Sequence, residues 1–144
     1  MNDMTTMDKI EHLEGALIML PQIDLPLAHY FAPGVYYREI FMPAGVFVIG
    51  HQHKTEHFNI VLTGSASVMI DGKVEVITAP CTFKSLPGVR KILYIHEDMR
   101  WATIHPTDVQ DLGELEELLI IKSDTYKEHE PEIRKFQLYL GGLN

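Results

Sequence analysis

The chain opens with Ile10, Leu13, Leu17 and Leu20 at spacings of three and four, behind Asp8, until Pro21 interrupts them. That rhythm predicts a short amphipathic helix over about 7–20. From Leu25 the pattern becomes brief β-branched and aromatic runs at roughly 35–42, 45–52, 57–63, 66–71, 73–79, 90–95 and 100–105, separated by turn residues. The best-defined hairpin is Ser65 to Ile70, then Asp71-Gly72, then Lys73 to Ile77, because Asp-Gly supplies the positive φ angles of a tight primed turn. After Pro106 the stretch from Asp111 to Ile120 mixes acids with apolar residues at helical spacing, with Glu114, Glu116 and Glu117 as a solvated face. It predicts a C-terminal helix or two over about 108–144, packed outside a barrel of about 25–107. No repeat, low-complexity tract or linker divides the chain, so a single all-β domain with terminal helices is expected.

Composition narrows the partners. A chain of 144 residues can bury one core. Twenty acidic residues against twelve basic ones give a formal charge of -8, and no Lys/Arg run offers a phosphate-tracking surface, so no nucleic acid is expected. A lone cysteine, Cys81, excludes an internal disulfide and reads as a small apolar residue. No run of about 20 apolar residues is present, so no membrane partner is expected and a cytoplasmic location is. The sequence also lacks a phosphate-binding Gly-rich loop and a Gly-x-Ser-x-Gly elbow.

The chemistry concentrates between Gly45 and Gly64, which hold three of the eight histidines. Strand alternation puts His51 and His53 on one face, and a turn at Lys54 to Glu56 brings His57 in from the next strand. Imidazoles converging from neighbouring strands suit a divalent metal with positions left open for substrate. The same spacing is equally compatible with a solvated polar strand face. In Trp101-Ala-Thr-Ile-His105, alternation places Trp101, Thr103 and His105 together, and an inward-facing His105 would join the group. His96 is expected in a turn between strands, and His12, His29 and His129 at the surface. Tyr36, Tyr37, Phe41, Phe47 and Phe58 are expected in the core or at a dimer interface.

The segment from Gly45 resembles the first cupin motif, which runs Gly, five residues, His-x-His, three or four residues, Glu, six residues, Gly. Gly45, His51, His53 and Gly64 fall in place. His57 stands where the motif has its carboxylate, with Glu56 beside it. In the second motif only Gly88 matches strictly, Pro87 sits one residue late, Lys91 occupies the position of the family's fourth ligand histidine, and Ile95 that of the asparagine. The resemblance implies a double-stranded β-helix (jelly-roll) barrel, commonly dimeric, whose mouth holds a divalent metal such as zinc, iron, nickel or manganese. A protonated Lys91 would repel that metal, whereas a desolvated neutral lysine could act as ligand or base. The combination of Ala32 to Ile40, Pro87-Gly88, Tyr94 to Asp98 and Thr103 to Thr107 also resembles small cupin-like proteins of bacteriophages and prophages.

Three function classes follow. A metal on His51, His53 and His57, with His105, would act on a small oxygenated metabolite by isomerase, lyase or oxygenase chemistry, with Lys91 facing the ligand. A metal-free barrel would use the same histidines and Lys91 as an anion-friendly pocket for a small molecule. An assembly protein would keep the fold and need neither.

Overall fold

The computed structural model describes residues 6–20, 23–70 and 72–139. Its elements in chain order are α1 (Thr6–Leu17), β1 (Leu27–Ala32), β2 (Val35–Met42), β3 (Phe47–Ile49), β4 (Gln52–His53), β5 (His57–Ile70), β6 (Lys73–Thr78), β7 (Cys81–Ser85), β8 (Ile92–His105), α2 (Leu112–Leu119), β9 (Ile120–Ile121) and α3 (Asp124–Tyr139). The chain forms two compact units, one of residues 26–121 and one of residues 1–25 with 122–144.

In the terminal unit α1 buries Ile10 and Glu14. The Ser123 hydroxyl donates to the Glu14 carboxylate at 2.5 Å and accepts from the Tyr126 amide at 3.1 Å, so one serine ties α1 to α3 and satisfies a free amide of the first turn of α3. The first helix ends at Leu17 instead of running to 20, and Leu20 is exposed beyond it. Pro21, expected to stop it, lies outside the described residues.

The larger unit is built on two long antiparallel strands that each serve two layers. The first half of β5 pairs with β7 and with the second half of β8, where Val61 faces Trp101 and Phe58 faces Ile104. The second half of β5 pairs with β6 and with the first half of β8, where Ala66 faces Ile95. Between these halves the register shifts three times, from Val61 to Ala66. Gly64 makes the bend possible: it sits at φ +90°, and a Cβ there would lie 2.8 Å from the Glu97 carbonyl oxygen and closer still to that of Asp98. The expected pairs of strands at 57–63 and 66–71, and at 90–95 and 100–105, are therefore two continuous bent strands. His96, expected in a turn, lies within β8 and shares a 2.7 Å hydrogen bond with Ser67.

β2 extends one layer through β8, from Tyr36 facing His105 to Met42 facing Met99, and β1 closes its edge. β3 joins the other layer opposite Tyr94 to Ile92. The expected hairpin has its register from Ser65 facing Thr78 to Ile70 facing Lys73, with Gly72 at φ +78°; Asp71 lies outside the described residues. Alternation along the strands turns Val61, Ala66, Val68, Leu93, Ile95, Met99 and Trp101 into a buried core at the bend end. Of the aromatics expected inside, Tyr36 is buried. Phe47 and Phe58 are more than half exposed because their parity puts them on outer faces, which leaves an interface as the remaining reading for those two. Among the described residues no helix is long and apolar enough to cross a membrane.

Because β5 and β8 fold over at Gly64 and Asp98, their free ends return to the same end of the barrel. That end, the mouth, carries His57 and His105 from one layer and Lys91, immediately before β8, from the other. Over it run α2 and β9. Asp111 caps α2 by accepting from the Glu114 amide at 2.9 Å, Leu115 and Leu119 are buried against Tyr36, and β9 pairs with β4. The expected C-terminal helix over Asp111 to Ile120 is thus present, but it lies at the mouth.

Candidate functional site

The inner face of the first layer can be read row by row from the registers. Tyr36 faces His105, and His57 faces Ser85. One row deeper, Arg38 faces Thr103, which faces Asn59, which faces Phe83. In the deeper row the Asn59 amide is satisfied on both sides. Trp101 Nε1 donates to Asn59 Oδ1 at 3.0 Å, and Asn59 Nδ2 donates to Ser85 Oγ at 2.8 Å. A buried amide so held fixes the floor of the site.

The mouth row is different. The imidazole centroids of His53 and His57 lie 4.3 Å apart, those of His57 and His105 4.8 Å, and those of His53 and His105 6.0 Å. His53 comes from β4, half-buried, while His57 and His105 are buried in β5 and β8. Tyr36 stacks on His105 at 5.7 Å and shares a 2.6 Å hydrogen bond with His29, which is half-buried on β1 instead of at the surface. His51 is half-buried in the segment leading into β4, outside the strand itself.

Each of the three rings presents one buried nitrogen with no hydrogen-bond partner: His53 Nδ1, His57 Nε2 and His105 Nδ1. The opposite nitrogens are fixed for two of them. His57 Nδ1 donates to the Thr55 carbonyl at 3.1 Å, which leaves Nε2 of the neutral ring as a bare acceptor, and His105 Nε2 lies 3.1 Å from Thr103 Oγ1. Burial holds the rings neutral. It drives His53 down to about 2, aided by the nearby His57, Lys91, His105 and Arg38, and His105 down to about 3, aided by His57, Arg38 and Lys91. His57 is also lowered by burial, partly offset by its hydrogen bond to Thr55.

Two cations act on these rings. Lys91 is only 8% exposed, and desolvation lowers its ammonium to about 8. Arg38 is half-buried on β2, and burial lowers it too from its ordinary value. Among the described residues neither has a carboxylate in ion-pair range, while Glu39 on the outer face pairs with Arg100 at 2.9 Å. A buried cation without a partner is costly, so this end of the barrel is an uncompensated positive site.

The structure thus gathers His53, His57, His105 and Lys91, of the residues singled out in the sequence, and adds Arg38, Tyr36 and Asn59. Arg38 had a signal: it shares strand parity with Tyr36, Ile40 and Met42, all partly or fully buried. A metal fits this arrangement poorly. Neutral imidazoles are suitable donors, but among the described residues no group of three or more His, Cys, Asp or Glu side chains is arranged to hold an ion, and two cations stand beside the rings.

Neither a family model nor a curated protein matches the sequence. Solved structures do match. The crystal structure of the DMSP lyase DddQ from Ruegeria pomeroyi superposes with a TM-score of 0.52 at 14% identity, over 60% of this chain and 49% of the lyase, about half its length. A cupin superfamily protein from Desulfitobacterium hafniense matches at 0.52 and 12% identity, over 65% of this chain and 87% of that one. The cupin domain of Schizosaccharomyces pombe Cnp3 matches at 0.50 and 19%, over 67% and 75%. Together with the bent strands and their registers, these likenesses show the architecture of this chain: a cupin double-stranded β-helix with short helices attached.

Proposed function

We propose that the barrel mouth binds a small anionic ligand without a metal, between Lys91, Arg38 and the imidazoles of His53, His57 and His105. The observation that carries this reading is the pair of cations, one buried and one half-buried, acting on the same neutral rings with no acid to balance them among the described residues. An anion would remove the desolvation penalty of Lys91 and pair with the planar guanidinium of Arg38. The bare His57 Nε2 calls for a donor, so the ligand carries a hydroxyl as well as negative charge, as hydrogen phosphate or a hydroxy acid does. The likeness to a DMSP lyase supports a small organic substrate, but at 14% identity it bears on fold and not on reaction.

A second reading has an observation of its own. A divalent ion held by His51, His53, His57 and His105 would use the same three open ring nitrogens. It requires the rings to turn and Lys91 to lose its proton or move away. Calorimetric titration of metal-depleted protein with inorganic phosphate, alongside elemental analysis of untreated protein, separates the two. Saturable binding to the depleted protein, weakened at least tenfold in Lys91→Met and in Arg38→Met, is the expected result. One metal per chain, with no phosphate binding after its removal, overturns it.

A further inference from the structure

The nitrogens that would meet a ligand are sealed from solvent, and residues 106–121 lie over the end of the barrel that holds them. This segment has three parts. Its base is fixed at the β1–β2 turn, where the Gly34 amide donates to Asp108 Oδ1 at 2.5 Å and the Thr107 amide donates to the Gly34 carbonyl at 3.1 Å. Its body is the capped helix α2, whose Leu115 and Leu119 press on Tyr36, the residue stacked on His105; Val109 and Ile120 join the same cluster. Its tip is a latch of two residue pairs, Gln52 with Ile121 and His53 with Ile120.

Just beyond that latch, the Lys54 amide donates to the Leu119 carbonyl and Lys54 Nζ to the Glu117 carbonyl, each at 2.7 Å. A two-stranded ribbon this short has little stability of its own compared with the long β5–β8 ladder beside it. It also carries a site residue, since His53 is half of one of its pairs. We propose that residues 106–121 form a hinged strap, pivoting near Thr107 and Asp108, that lifts from β4 at the β4–β9 latch to admit a small anion and closes over it, while His53 stays held by its backbone bonds to Gly88 and Val89. The proposal rests on the anion-binding reading above and adds a size limit: the ligand is enclosed whole.

A reversible lock tests this. Gln52 and Ile121 are paired across antiparallel strands, a separation that a disulfide spans. The double variant Gln52→Cys/Ile121→Cys in a Cys81→Ser background is titrated with inorganic phosphate, oxidised and reduced. Binding as in wild type when reduced, with association slowed at least a hundredfold when oxidised, is expected. Equal association rates in both states overturn the strap while leaving the anion reading intact, whereas absence of binding to wild type overturns both. Hydrogen exchange on the unmodified protein gives an independent readout should the variant not fold. The Lys54 amide should exchange faster than those of β5 and β8 and slow at least tenfold with phosphate, and exchange at the barrel's rate, or unchanged by phosphate, counts against the strap.

Discussion

On the floor of the site, Asn59, Trp101 and Ser85 satisfy one another above a core of Val61, Ala66, Ile95 and Met99. In the adjacent mouth row, His53, His57 and His105 each hold an open nitrogen and Lys91 has no acid partner among the described residues. β5 and β8 contribute to both, with Ser85 of β7 completing the first group and His53 of β4 and Lys91 completing the second, so neighbouring positions on the same strands differ in how their side chains are satisfied. A satisfied polar network stabilises the fold, whereas unsatisfied buried groups lower stability and are explained by a partner the chain alone does not supply. Substitutions in the two groups should therefore act in opposite directions.

The largest effect belongs to the bend. Gly64→Ala forces a side chain onto φ +90° and against the Asp98 and Glu97 carbonyls, and should cost at least about 3 kcal/mol in urea unfolding. A loss below about 1 kcal/mol would show that the bend does not hold the two layers. Asn59→Ala comes next, at about 2–3 kcal/mol, because it strands the Trp101 indole N–H in the core. At the mouth, Lys91→Met should instead stabilise the ligand-free protein, on the order of 1–3 kcal/mol, by deleting a buried uncompensated charge.

Acid sharpens the same contrast. Folded His53 and His105 resist protonation down to about 2 and 3, while their unfolded counterparts take up protons below 6.5. Stability should therefore be unaffected by these rings above 6.5 and fall below it, by about 1.4 kcal/mol per pH unit for each ring, continuing toward pH 3. Urea melts at pH 7.0, 6.0 and 5.0 measure the slope, to which His57 also contributes, and His105→Gln should lower it by up to about 1.4 kcal/mol per pH unit; an unchanged slope would mean that the ring is hydrated. Alkali reads the cation. Lys91 is protonated below about 8, so binding of sulfate, whose own charge is constant here, should weaken as pH rises through 8. Smallest of all, phosphate should bind a few-fold more tightly than sulfate, because only phosphate can donate to His57 Nε2; equal affinities would remove that nitrogen from the contact.

Much of the frame could be read from strand periodicity. β2 occupies the expected 35–42, and the Asp71-Gly72 hairpin has its expected strands. The mouth was partly legible, since alternation puts Thr103 and His105 on one face and the first motif supplies His53 and His57. What could not be read had physical reasons. Gly64 looks like a turn in sequence but bends a strand without ending it, so β5 and β8 each seemed to be two. β4 and β9 are two residues long, too short for any periodicity, and with them went the placement of α2 over the mouth. Arg38 is hard to place from sequence because a charged residue between Tyr37 and Glu39 reads as an exposed strand position. Its parity with Tyr36, Ile40 and Met42 points inward, and its register with Thr103, and through Thr103 with Asn59, places it on the inner face.

The most direct measurement is the unfolding free energy of wild type and Lys91→Met at pH 7, each without added anion and with saturating inorganic phosphate. The account predicts that the order reverses: Lys91→Met is the more stable protein without phosphate, and wild type overtakes it when phosphate is present. A Lys91→Met protein less stable than wild type in both conditions, with phosphate shifting the two equally, would contradict an anion site built around Lys91.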